Sequence, residues 1–136
     1  MRCVITGSDS RGQSLVLREE VVDPTSSTVF WESLVGDQAA MPVGDPTFRD
    51  LGVPPDHNRA STFYCAPGTV RDMHWTATVD FDMVVEGSIE LLLDSGPVLL
   101  EQGDSAVVAG VRHGWRAGDN GCLLAVVLHG QKETSA

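Results

Sequence analysis

His74, Asp80, Asp82, His113 and Trp115 are the residues of this chain whose types and spacing fit chemistry best. Strand side chains alternate faces, so a strand that turns His74 inward also turns Thr76 and Thr78 inward. A turn before Asp80 then begins a stretch on which Asp80, Asp82 and Val84 share a face, and further on His113 and Trp115 do the same. Gathered in one interior, these groups are too polar for packing alone, because a buried carboxylate costs several kcal/mol unless it is paired. Acid–base work is the chemistry they suit. Asp80 beside either imidazole would orient it and raise its pKa. Asp80 and Asp82, roughly 6–7 Å apart on one strand face, could split into one acid and one base if burial drives their pKa values apart. Such a pair can take a proton from beside a carbonyl and give one to a leaving hydroxyl. The competing reading of Asp82 is a solvated strand-edge residue. Trp115 reads either as a stacking wall for an apolar ligand or as a barrel plug. Thr76, Thr78 and Tyr64 are the further candidates for touching substrate.

The elements that must position these groups are short and β-rich. Strands are predicted at 61–65, 73–78, 81–85, 88–93, 98–100, 105–109, 113–116 and 122–128, with earlier ones at 14–17 and 28–31. Turns are predicted at Glu86-Gly87, Asp94-Ser95-Gly96, Gln102-Gly103-Asp104 and Gly118-Asp119-Asn120-Gly121. Short, evenly spaced strands with glycine turns indicate an antiparallel sandwich or barrel. Residues 36–60, rich in Gly, Pro and Asp, read as a long loop of the kind that covers a mouth. No amphipathic helix is evident. The expected organisation is one domain. Residues 1–60 supply strands and a loop to the barrel edge and a dimer contact, and 61–136 form the barrel core.

Gly68, His74, Asp80 and Gly87 keep the spacing of the first motif of the cupin superfamily, and Gly103-Asp104 through His113 resembles the second. The stretches Met73-His74-Trp75-Thr76-Ala77-Thr78-Val79-Asp80-Phe81 and His113-Gly114-Trp115-Arg116, with the opening Val4-Ile5-Thr6-Gly7 and Trp31-Glu32, are similar to a group of small single-domain cupins from bacteria and fungi. The resemblance implies an all-β jelly-roll barrel with little or no helix, often dimeric. It also implies an activity among the dehydratases, cyclases, isomerases, decarboxylases and dioxygenases, many of secondary metabolism. The family's metal ligands, three His and one Glu, fall here on His74, Thr76, Asp80 and His113. Thr76 is a poor ligand, so at most His74, Asp80 and His113 could hold iron, manganese, nickel or zinc, and no metal is the favoured reading. Further departures are Trp75 for a usual Arg, Phe81 for Tyr, Asp82 for a small residue, Ala109 for Pro and Ala117 for Asn. The mouth has gained a carboxylate.

Composition narrows the partners. The 136 residues suit one core. Their formal net charge of −10, with only 9 Lys and Arg, makes nucleic acid and anionic membrane poor partners. No apolar run reaches the roughly 20 residues of a membrane span, and Met1 to Asp9 lacks the apolar core of a signal peptide. Three scattered cysteines suit a reducing compartment, so a cytoplasmic location is expected. The leading expectation is a lyase or isomerase, a dehydratase or cyclase, acting on a small, largely apolar carbonyl compound. Asp80 and His113 would transfer protons with help from His74 and Asp82. A metal-dependent dioxygenase or decarboxylase and a non-catalytic small-molecule binding protein are the alternatives, and a homodimer is the expected assembly.

Overall fold

The computed structural model describes residues 1–27, 29, 32 and 41–133. The strand expected at 28–31, the Trp31-Glu32 resemblance and the first part of the 36–60 loop fall wholly or largely outside them. Eight strands and no helix occur among the described residues: β1 (Arg2–Ser8), β2 (Ser14–Val21), β3 (Asn58–Cys65), β4 (Val70–His74), β5 (Thr78–Leu93), β6 (Gly96–Glu101), β7 (Ser105–Ala109) and β8 (His113–Gly130). They form one sheet in the order β2-β1-β7-β5-β8-β3, with β4 added to β8 and β6 to β5. The pairing is not wholly antiparallel as expected. β1 runs parallel to β7, with Val4 opposite Ala106.

Two long strands carry the architecture. The first half of β5 lies between β7 and the second half of β8. The second half of β5 lies between β6 and the first half of β8. The expected turns at 86–87 and 118–121 are irregular waists within continuous strands. Register shifts fall between Val84 and Glu86 and between Gly87 and Ile89. Gly87 has φ +80°, and a Cβ there would lie 2.1 Å from the Gly121 carbonyl oxygen, so only glycine lets the two backbones pass this closely. The inward face switches at the waist. On β5 it is Thr78, Asp80, Asp82 and Val84 before it, and Ile89, Leu91 and Leu93 after it. On β8 it is His113, Trp115 and Ala117 before, and Cys122, Leu124, Val126 and Leu128 after.

The main core fills the interior with Val4, Val84, Ile89, Leu91, Leu100, Val108 and Leu124. A smaller cluster of Cys3, Ile5 and Val107 lies on the other side of the β1–β7 pair, against Val79 and Phe81. β1 is thus buried on both faces and lacks the alternation that marks a half-exposed strand. The strand expected at 14–17 is the first part of β2, which pairs with β1 along its length.

Candidate active site

The mouth of the barrel is a cavity of about 340 Å³, at the small end of the range for small-molecule sites. All four expected catalytic residues, Asp80, Asp82, His74 and His113, line it, and so do Thr76 and Trp115. Asp80 and Asp82 enter from β5, His113 and Trp115 from β8, and His74 from the end of β4. His74 sits directly opposite His113 and Arg71 opposite Trp115. His74 and Arg71 are three residues apart, so an unbroken strand would point them to opposite faces. The irregularity between them lets both reach the cavity.

Thr78 and Tyr64 are placed otherwise than expected. Thr78 is buried but does not line the cavity; its hydroxyl donates to Asp80 Oδ1. Tyr64 is 63% exposed and lies off the cavity, because β3 turns its neighbour Phe63 inward instead. Arg49, Arg71, Phe63 and Leu51 also line the mouth and were not singled out from sequence. Arg71 had no motif to mark it. Arg49 lies in the loop read as a mouth-covering segment. That segment is anchored by Trp75, whose buried indole donates to the Asp45 carbonyl at 3.1 Å and packs 4.7 Å from the Phe48 ring. Arg49 N–H donates to the Trp75 carbonyl at 2.9 Å.

The two imidazoles lie with ring centres 4.6 Å apart, and His113 meets Trp115 edge-on at 5.9 Å. Each is oriented by a backbone carbonyl. His74 Nδ1 donates to Asp72 O at 2.7 Å and His113 Nδ1 to Val111 O at 2.9 Å. A carbonyl only accepts, so Nδ1 carries the proton and Nε2 is left as an acceptor. Burial lowers both pKa values, that of His113 to about 4 with a further push from His74. The expected raising of an imidazole pKa by Asp80 is therefore reversed. Asp80 is engaged by Thr78, and burial favours the uncharged form of both rings.

The carboxyls behave oppositely. Asp80 and Asp82 are 6% and 3% exposed. Burial pushes Asp80 up to about 7, against the pull of the Thr78 hydrogen bond. Burial and the neighbouring Asp80 hold Asp82 well above the usual carboxylate range. The difference has a structural source. Thr76 and Thr78 hydroxyls are 2.8 Å apart and lead to Asp80, whereas Asp82 Oδ2 is buried with no hydrogen-bond partner among the described residues. Charge is easier to carry on Asp80 and a proton easier to keep on Asp82.

The donors available to a metal are few. His74 and His113 offer two Nε2 donors, Thr76 is turned toward Thr78, and among the described residues no three His, Cys, Asp or Glu side chains come together to hold an ion.

This barrel has the fold of the small cupins. It superposes on KdgF from Halomonas sp. with TM-score 0.51 and 20% identity, covering 60% of this chain and 76% of that one. An RmlC-like cupin from Shewanella frigidimarina gives TM-score 0.50 and 20% identity over 57% of this chain and 70% of that one. No family model matches the sequence. Among curated proteins, the Phomopsin biosynthesis cluster protein C' of Diaporthe leptostromiformis is 45% identical over 51 residues, 37% of this chain and 27% of that protein. Oryzines biosynthesis cluster protein J of Aspergillus oryzae is 45% identical over 51 residues, 37% and 28% of the two chains. A cupin-domain-containing oxidoreductase of Neurospora crassa is 34% identical over 81 residues, 55% and 41%. The chain thus spans between about a quarter and two-fifths of the length of these relatives. No helix among the described residues is long and apolar enough to cross a membrane.

Proposed function

We propose that the chain is an acid–base enzyme of the lyase or isomerase kind, dehydrating or cyclising a small carbonyl compound in a biosynthetic pathway. The observation that carries this reading is the unequal carboxyl pair in the mouth: Asp80, served by a threonine hydroxyl, beside Asp82 with an unpartnered buried oxygen. The assignment follows from their environments. Asp80 as carboxylate removes a proton from the carbon beside the carbonyl. Asp82 as acid gives its proton to a β-hydroxyl, which leaves as water when the electron pair of the broken C–H bond forms the double bond. The proton taken by Asp80 returns to solvent and Asp82 is reprotonated, so the cycle closes without a redox partner. His74 and His113, neutral and accepting at Nε2, hold the substrate hydroxyl or an ordered water. The role first given to His113 as proton carrier passes to the carboxyls, because a group with a pKa near 4 is a weak base near neutrality.

The name of the Neurospora crassa relative supplies the other reading, an oxidoreductase. The two are separated by incubating the purified protein with a panel of β-hydroxy carbonyl compounds in D₂O, with and without a chelator. Exchange beside the carbonyl and loss of water, both surviving chelation, are the expected results. Activity lost on chelation and restored by iron, manganese, nickel or zinc would replace the proposal with metal-dependent chemistry.

A further inference from the structure

We infer that the substrate is an organic acid whose carboxylate is held at the rim of the cavity by Arg49 and Arg71, with its apolar body below. This inference deepens the reaction proposed above and rests on the same cavity being the substrate site.

Cationic side chains are scarce in this chain, 9 against 19 carboxylates. Arg2, Arg18, Arg112 and Arg116 are each paired with a carboxylate, and Arg59 is spent on the Leu51 and Gly52 carbonyls at 2.9 and 3.0 Å. Arg49 and Arg71 border the cavity, and neither has an ion-pair partner among the described residues. Arg71 lies over the Phe63 ring with its guanidinium carbon 5.5 Å from the ring centre, which pins the cation at the lip. Arg49 is carried to the cavity on the segment tied to Trp75. Behind the effect of burial, both guanidiniums also help to lower the His74 pKa.

The cavity is ordered from rim to floor. Two guanidiniums stand at the opening, Phe63, Trp115, Leu124, Val126 and Leu128 line the wall, and the two carboxyls stay buried. In a chain of net charge −10, an anion would be repelled from most of the surface. Two unpaired guanidiniums beside one apolar opening reverse that field locally and present planar donors that match a carboxylate. The same arrangement keeps the acid end away from Asp80 and Asp82, so the substrate's negative charge does not meet theirs.

The test is binding, which needs no turnover. 3-Phenylpropanoate, its amide and the matching phosphate monoester are titrated into the full chain by calorimetry at low ionic strength. The acid is expected to bind at least about tenfold more tightly than the amide, as a charge-assisted contact implies. Arg49→Gln with Arg71→Gln should abolish the difference while amide affinity and melting temperature stay unchanged. Equal affinity of acid and amide in the wild type, a preference that survives both substitutions, tighter binding of the phosphate ester, or no binding by any of a series of aryl and alkyl acids would each overturn the proposal. A preference that persists in Asp82→Asn supports it separately from the chemistry. If Asp80→Asn and Asp82→Asn both left turnover intact, the reaction would be reassigned while the ligand class stood.

Discussion

The proton balance of Asp80 and Asp82 has consequences for both rate and stability. Asp80→Asn and Asp82→Asn are each expected to lower kcat by about 10²–10⁴-fold while the barrel stays folded. Asp82→Asn should keep ligand affinity and change the alkaline limb of the pH–rate profile, since the amide keeps a donor and loses the acid. An unchanged limb and rate would make Asp82 a polar rim residue. The stability prediction needs its sign worked out. Asp80 and Asp82 have folded pKa values above their unfolded ones, so folding takes up protons there and stability falls as pH rises from about 4 through 7. His74 and His113 have lowered folded values, so their contribution is present above 6.5 and is lost as pH falls toward 4. The two trends oppose each other below 6.5, and above it only the carboxyls act. Melting temperature should therefore fall between pH 6.5 and 8, and Asp80→Asn with Asp82→Asn should remove the fall and raise the value at pH 8 by about 5 °C. At this scale the sequence was legible where two motifs fixed the parity, as for His74, Asp80, Asp82 and His113. It misled where a partner decided the electrostatics. Nothing in the spacing of Asp80 reveals that Thr78 rather than an imidazole binds it, nor that Asp72 and Val111 carbonyls orient the rings. Tyr64 was one position out of phase with Phe63, because an exposed strand edge offers no apolar alternation to set it.

Positions of strands were largely readable, but their continuity was not. Glu86-Gly87 and Gly118 to Gly121 carry turn residues, and local chemistry cannot say whether a glycine with positive φ closes a hairpin or bends a strand that continues. Long-range pairing decides it, since Gly87 faces Cys122 across the β5–β8 ladder. β1 went unread because burial on both faces erased its period. The waist supplies a test of its own. Gly87→Ala must place a Cβ 2.1 Å from the Gly121 oxygen at φ +80°, so we expect a loss on the order of 2–4 kcal/mol. Urea unfolding would measure it. A loss below about 0.5 kcal/mol would show that the two backbones separate at little cost.

Across the described residues the molecule is one sheet curled around a polar mouth, its path running from β2 to β3. We expect a homodimer, the commonest assembly among soluble oligomers. Light scattering that returned the mass of one chain at micromolar concentration would remove it. The waist also governs how this barrel can change length over descent. A residue lost between Thr78 and Val84, or between Cys122 and Leu128, would rotate everything on one side of it by half a pleat and carry Asp80 and Asp82, or Leu124 and Val126, to the outside. The same loss at 85–88 or 118–121 would be absorbed by a bulge that closes or reopens, with both faces kept. Insertions and deletions among descendants of this chain should therefore collect at those two short windows and be absent from the strand halves beside them. The waist acts as the barrel's expansion joint, letting its two ends drift in length while the mouth keeps its phase.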